Sequence, residues 1–236
     1  MKGVFETCFK SFRTLTFTLL LAPIGLLYVL CMGLSLTPAI TLYGWAEGMS
    51  TGFPPLARNA CLGLSVAAGF FSYGLTLIFV VPAVNKLLFL KVRPQRTTWY
   101  SLGVIPWYYH NALTYLVRYT FLDFITPTPL NKLFYQLMGM KIGKGSIINT
   151  SNISDPALIE IGDNVTIGGS ATLVAHYGMK GILIIDKLVI RDQAIIGLRA
   201  IVFGDVVVGK GALVKANEVV MPKTRIPDRE EKKEAA

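Results

Sequence analysis

An aliphatic residue returns at every sixth position without a slip at Ile184, Ile190, Ile196, Val202, Val208, Val214 and Val220. Neither the 3.6-residue period of a helix nor the 2-residue period of a strand makes such a ladder. A fixed hexad marks a solenoid, in which each short rung buries its aliphatic residue only by stacking on the next. The same register runs upstream through Ile142, Ile148 and Ser154, slips by one residue, and resumes at Ile161, Ile167 and Leu173. Residues 140–226 are therefore expected to form a parallel β-solenoid with the ladder residues pointing inward. Glycine often follows the ladder residue, as in Ile142-Gly143, Ile161-Gly162, Ile167-Gly168, Ile196-Gly197 and Val208-Gly209. Permissive residues are needed there because the chain turns sharply between rungs.

The rest of the chain belongs to a different solvent. The sequence is 53% hydrophobic and 16% charged, too apolar for an ordinary soluble domain. The excess sits early: 33 residues from Thr14 to Ala46 and 27 from Asn59 to Asn85 carry no charge. About 20 apolar residues suffice for one helical crossing, so each stretch spans once. The first is longer than a signal peptide needs and the sequence begins at Met1, so cleavage is not expected. Pro23, Pro38 and Pro82 are expected to bend these helices. Residues 1–90 thus read as a transmembrane hairpin.

Its orientation follows from the basic residues. Lys2, Lys10 and Arg13 precede the first span, and Lys86, Lys91, Arg93 and Arg96 follow the second, whereas the connecting loop holds only Glu47 and Arg58. Positive residues stay inside, which puts both ends of the hairpin and the solenoid on the cytoplasmic side of the inner membrane. The net charge of +9 is largely juxtamembrane and implies attraction to anionic lipid. Nucleic acid is not an expected partner, since no binding motif accompanies the charge. Cys8, Cys31 and Cys61 have neither metal nor redox spacing and read as structural thiols.

Residues 91–139 form a connecting region of interfacial and capping helices. Its first part is aromatic, with Trp99, Tyr100, Trp107, Tyr108, Tyr109, Tyr115 and Tyr119. His110, Thr114 and Arg118 recur every fourth residue and predict a polar stripe on an otherwise apolar helix. Such a helix suits the membrane interface or packing against the spans. A second helix is expected from Thr128 as cap and Pro129 at its first position, with Leu130, Leu133, Phe134, Leu137 and Met138 on one face and Gly139 as stop. It is placed to cover the open end of the solenoid. Beyond Pro222 and Pro227, residues 227–236 form a charged tail.

The hexads resemble those of the hexapeptide-repeat acyltransferases, which fold as left-handed parallel β-helices of three hexads per coil and usually trimerise. The resemblance covers roughly residues 139–226. Within it, Leu188-Val-Ile-Arg-Asp-Gln-Ala-Ile-Ile-Gly-Leu-Arg-Ala-Ile201 is similar to the coil after the catalytic loop of sugar O-acetyltransferases. Thr128 to Gly143, with Ser154 to Asp163, is closer to the membrane-embedded acyltransferase-like terminal domains of non-ribosomal peptide and polyamino-acid synthetases. Here that unit would stand alone. The implied architecture is a membrane α-helical hairpin followed by a left-handed parallel β-helix.

Of two histidines, His176 lies where the hexad breaks, since Leu173 to Ile184 spans eleven residues. An irregular loop on a rigid solenoid is a natural place for a site. In the resembled enzymes the catalytic histidine occupies this kind of position and serves as general base for a hydroxyl or amine that attacks an acyl thioester. A surface histidine with no role is the plain alternative. One hexad with an inserted loop would put Arg199 one coil below His176, and two hexads with a deletion would put Gln193 there. Asp155, Glu160 and Asp163 lie nearer the preceding coil, where turn roles are the default. The sequence does not choose the orienting partner. His110 reads as a packed or interfacial residue.

The resemblance also implies where the donor binds. Backbone groups of the Gly197–Ala200 turn would meet the pantetheine arm of acyl-CoA, and basic residues such as Arg199, Lys215 and Lys223 its phosphates; Lys210 and Arg225 are also at hand. As isolated residues, these lysines read as a solvated outer face. Met221-Pro222-Lys223 replaces the family's Thr-Lys-Asp, and Ile195 stands where tryptophan is common. An acyl-carrier or peptidyl thioester is compatible with both departures. No bound cofactor is expected, and the thioester is a co-substrate. A zinc site like that of gamma-class carbonic anhydrases needs three histidines, and the solenoid has one, so no metal is expected. The expected protein is a trimeric, membrane-anchored acyltransferase acting on an envelope, lipid-linked or peptide-like acceptor. The rival is a non-catalytic trimeric membrane scaffold or accessory subunit.

Overall fold

The computed structural model describes residues 12–229; Lys2, Cys8, Lys10 and the tail from Glu230 to Ala236 lie outside the described residues. Helix α1 (Arg13–Leu21) and helix α2 (Pro23–Met49) divide at Pro23, which lacks an amide hydrogen and fits at a helix start. Helix α3 (Pro55–Leu87) returns beside α2. The two apolar segments, Thr14–Met49 and Pro55–Leu87, run 36 and 33 residues and are long and apolar enough to cross a membrane. At about 1.5 Å per residue each is roughly 50 Å long, well over the ~30 Å of a hydrocarbon core.

Tyr73, Gly74, Leu77, Ile78 and Val81 of α3 are buried against helix α4 (Ile105–Val117) and the π turn Arg118–Leu122 that continues it. Gly74 permits the approach, since a Cβ there would fall 2.0 Å from the Phe121 ring. The polar stripe expected on α4 is not a surface. His110 and Thr114 are 1% and 0% exposed, with His110 Nδ1 3.0 Å from Asn85 Oδ1 and Thr114 donating to the His110 carbonyl. The reason is that α4 is clasped between α3 on one side and the β-solenoid on the other.

Helix α5 (Pro129–Leu137), capped by Thr128, lies over the first coil of the solenoid. Its buried face is rotated from the expected leucine face. Asn131, Phe134, Tyr135 and Met138 are buried, while Leu137 is exposed. Two hydrogen bonds set this rotation: Asn131 Nδ2 donates to the Ile148 carbonyl at 2.9 Å, and the Tyr135 hydroxyl to the Ser151 carbonyl at 2.9 Å.

The solenoid is a left-handed parallel β-helix with three flat faces. The first face stacks β2 (Lys141–Ile142), β5 (Ile159–Ile161), β10 (Leu188–Ile190), β13 (Val206–Val208) and β16 (Arg225–Ile226). The second stacks β3 (Ile147–Ile148), β6 (Thr166–Ile167), β11 (Ile195–Ile196) and β14 (Leu213–Val214). The third stacks β4 (Ile153–Ser154), β7 (Thr172–Val174), β12 (Ile201–Phe203) and β15 (Val219–Val220). Ile161, Ile190 and Val208 are aligned neighbours inside the first face, as are Ile167, Ile196 and Val214 inside the second.

Two ladder assignments are corrected. Ile153, not Ser154, pairs with the inward Leu173, because the corner before β4 is one residue short and the corner after it is longer. Ile184 is not on a coil at all. Strand β5 pairs with β10 at Ile159↔Leu188, an offset of 29 residues, whereas β10 pairs with β13 at Leu188↔Val206, an offset of 18. The eleven additional residues form a hairpin of β8 (His176–Met179) and β9 (Ile182–Ile185). A strand that follows α3, β1 (Gln95–Thr98), pairs antiparallel with β9 and completes a three-stranded sheet.

Candidate functional site

Each coil turns three corners. His176 starts the inserted hairpin at the corner between the third and first faces. Gln193 turns the corner between the first and second faces, and Arg199 the corner between the second and third; both have positive φ. Neither lies below His176. Leu173 pairs with Val202 and Val174 with Phe203, which brings Gly204 and Asp205 beneath the hairpin's root. Both expected arrangements are overturned, because the break is a hairpin inserted at a corner and leaves the coil itself intact.

The partner of His176 comes from the coil above. Asp155 occupies the same corner there, one residue beyond Ser154, which pairs with Val174. It takes the left-handed conformation (φ 60°, ψ 47°), which aspartate tolerates better than most residues. Its Oδ2 lies 2.6 Å from His176 Nδ1. The carboxylate is fully buried, while 20% of the His176 side chain is exposed. Trp107 Nε1 and Asn111 Nδ2 both donate to Asp155 Oδ1 at 2.6 Å. The Asp155 amide in turn donates to Asn111 Oδ1 at 3.0 Å.

This geometry fixes the chemistry of the imidazole. An ionised Asp155 can only accept, and its Oδ2 then takes the hydrogen of His176 Nδ1. Nε2 is then the nitrogen with a free lone pair, the arrangement a general base requires. The Trp107 ring meets the imidazole edge to face at 4.9 Å and limits its rotation. Of the other carboxylates near that coil, Glu160 is ion-paired to Lys187 and Lys141. Those bonds, Lys187 first, hold its carboxyl below the usual range. Asp163 accepts from the Lys144 amide in a turn.

His176 borders a cavity of about 560 Å³ lined by Trp99, Val174, Phe203, Met221, Pro222 and Lys223, among others. The volume suits a small-molecule or cofactor-arm site, and the walls are mainly apolar with one cation. Of the expected donor contacts, only Lys223 joins this cavity. Gly197, Arg199 and Ala200 turn the corner between the second and third faces, one strand away from His176. Gly197 has a structural reason there, since a Cβ would fall 2.5 Å from the Ala216 nitrogen of the next coil. Ala200 is buried, and Arg199 and Lys215 are exposed. The Lys215 amide donates to Glu218 Oε2 on that same corner.

Sequence reasoning passed over Trp99, Trp107 and Asn111 and undervalued Asp155. The signal for Asp155 was the one-residue slip after Ser154. For the helix it was a second i, i+4, i+8 series, Trp107, Asn111 and Tyr115, beside the His110 series. Tyr115 extends the contact with a 2.7 Å hydrogen bond between its hydroxyl and Ser154 Oγ. Burial pushes His110 down to about 4, although the Asp155 charge acts in the opposite direction.

No family model matches the chain. It is 31% identical over 93 residues to "Putative acetyltransferase YvoF" of Bacillus subtilis, a match covering 38% of this chain and 54% of that protein. It is 22% identical over 161 residues to a delta-poly-L-ornithine synthetase of Acinetobacter baumannii, covering 66% of this chain and 12% of that one. The chain thus spans about half the length of one curated relative and about an eighth of the other. Among solved structures, the hexapeptide-repeat acetyltransferase VCA0836 of Vibrio cholerae is 28% identical, with a TM-score of 0.35, covering 39% of this chain and 55% of that one.

Proposed function

We propose that this chain, a member of the hexapeptide-repeat acyltransferase superfamily, is a membrane-anchored acyltransferase whose general base is His176. The observation that carries the reading is the Asp155–His176 pair at 2.6 Å on the rim of the 560 Å³ cavity. In the reaction, Nε2 takes the proton of an acceptor hydroxyl or amine as that group attacks the thioester carbonyl. The tetrahedral intermediate collapses with loss of the thiolate, which receives the proton from the imidazolium. Asp155 stabilises the imidazolium between the two transfers.

The donor is an acyl-CoA or a carrier-bound thioester, its arm lying along the apolar cavity wall with Lys223 near its anionic end. The acceptor is envelope-derived, lipid-linked or peptide-like. The similarity to a poly-ornithine synthetase supports an amine of a peptide-like chain, and two membrane-length helices support an acceptor that partitions to the bilayer. With Lys86 in the last turn of the second span and Lys91, Arg93 and Arg96 just beyond it, the β-helix faces the cytoplasm beneath the inner membrane, against anionic lipid. The second face of the β-helix exposes Ile147, Ile195 and Leu213, with Leu198 at its edge. That apolar row supports a homotrimer, in which Gly197–Ala200, Arg199 and Lys215 reach a thioester at a neighbouring copy's His176. For a scaffold, a buried carboxylate spent on orienting a cavity-side imidazole has no use.

The test is thiol release from acetyl-CoA and longer acyl-CoAs by the detergent-solubilised protein, with membrane extract as acceptor pool, beside His176→Ala. Turnover lost in the variant with the same elution volume supports the reading. Equal turnover in both proteins removes His176 from the mechanism.

A further inference from the structure

The Asp155 carboxyl group is fully buried, and two of the three side chains that converge on it come from a single helix outside the solenoid. Trp107 and Asn111 are one turn apart on α4 and both aim at Oδ1. Asn111 holds the residue twice, donating to its carboxylate and accepting from its amide. Helix α4 is itself fastened to the apolar hairpin. The Tyr109 hydroxyl donates to the Leu20 carbonyl at 2.6 Å, and the Tyr28 hydroxyl to the Ala112 carbonyl at 3.0 Å. Ring contacts then run without a gap from Phe17 to Tyr108 at 5.4 Å, on to Trp107 at 4.7 Å, and to His176 at 4.9 Å.

We propose that Trp107 and Asn111 are positioning residues, which fix the Asp155 carboxylate so that His176 is held as a single tautomer with Nε2 toward the cavity. The proposal rests on the acyltransfer reading for its purpose, and on hydrogen bonds alone for its geometry. It makes the docked hairpin part of the site: an isolated solenoid would carry His176 and Asp155 without the donors that set their arrangement. Buried carboxylates are retained where hydrogen bonds to the charged form compensate desolvation, and here that compensation comes from the membrane-side helix. Simple packing between α4 and the solenoid would be served by apolar side chains.

The experiment uses the full chain in detergent with Trp107→Phe, Asn111→Ala and, as a packing control in the same helix, Val117→Ala. The chain has two histidines, so ¹⁵N-imidazole spectra of histidine-labelled protein are simple, with His176→Ala assigning the pair. The wild type and Val117→Ala are expected to show His176 as one Nδ1–H tautomer. Trp107→Phe and Asn111→Ala are expected to show exchange between tautomers, with kcat for thiol release lowered about tenfold to a hundredfold and KM for the donor unchanged. A single unchanged tautomer in both variants overturns the proposal, as does the same spectral change in Val117→Ala. Absence of His176-dependent turnover in the wild type would overturn the acyltransfer reading, and the spectra would still decide the positioning role.

Discussion

The Asp155 carboxylate reaches Nδ1 of His176 at 2.6 Å across 21 residues of sequence because both occupy one corner of the β-helix on successive coils. A stacked corner makes the separation between the two groups a property of coil spacing, not of loop conformation. Coil stacking thus brings together two groups that are far apart in sequence.

Lys223 and Lys215 lie on different corners, and only Lys223 borders the His176 cavity. Lys223→Ala is expected to raise KM for an acyl-CoA about tenfold with little change in kcat, the signature of a lost contact to an anionic group. Initial-rate kinetics over a range of donor concentrations check this. A fall in kcat at constant KM would place Lys223 elsewhere in the mechanism.

Gly74 should not tolerate a side chain, because its Cβ would sit 2.0 Å from the Phe121 ring, itself buried. Gly74→Ala is expected to destabilise the protein by about 1–3 kcal/mol, as overpacking does. Thermal unfolding in detergent should show a lower midpoint, and Gly63→Ala, where nothing lies within 4 Å, should leave it near the wild type.

His110 makes a pH-dependent contribution of definite sign. Burial lowers it from 6.5 to about 4, so between those values the unfolded chain binds a proton that the folded chain does not. Stability is therefore full above about pH 6.5 and falls as pH drops toward 4, by about 3 kcal/mol for this group. Melting midpoints from pH 7.5 to 4.5 should fall less steeply in His110→Gln than in the wild type. Parallel curves would contradict the account.

The β-helix was legible because stacking demands an aliphatic residue at one fixed position, and Ile190, Val202, Val208 and Val214 meet that demand without interruption. His176 stood out for the complementary reason, as it lies where the demand fails. The identity of its neighbour was hidden by the same break. An inserted hairpin preserves coil register while shifting the count by eleven, so spacing pointed to Arg199 or Gln193 when the structure stacks Gly204 and Asp205 below and Asp155 above. Strand β1 left no signal, since Gln95-Arg96-Thr97-Thr98 has no alternating pattern and becomes a strand only at the edge offered by β9. Trp107 and Asn111 were visible as a helical series, but that they face a carboxylate depends on how α4 docks, which no local pattern encodes.

The most direct test of the central claim is a double-mutant cycle on thiol release with His176→Ala, Asp155→Asn and the double variant. If the two residues act as one unit, each single change lowers kcat by roughly a hundredfold to ten-thousandfold, and the double variant is no slower than His176→Ala alone. Additive losses, or full turnover in Asp155→Asn, would mean that the carboxylate does not work through the imidazole.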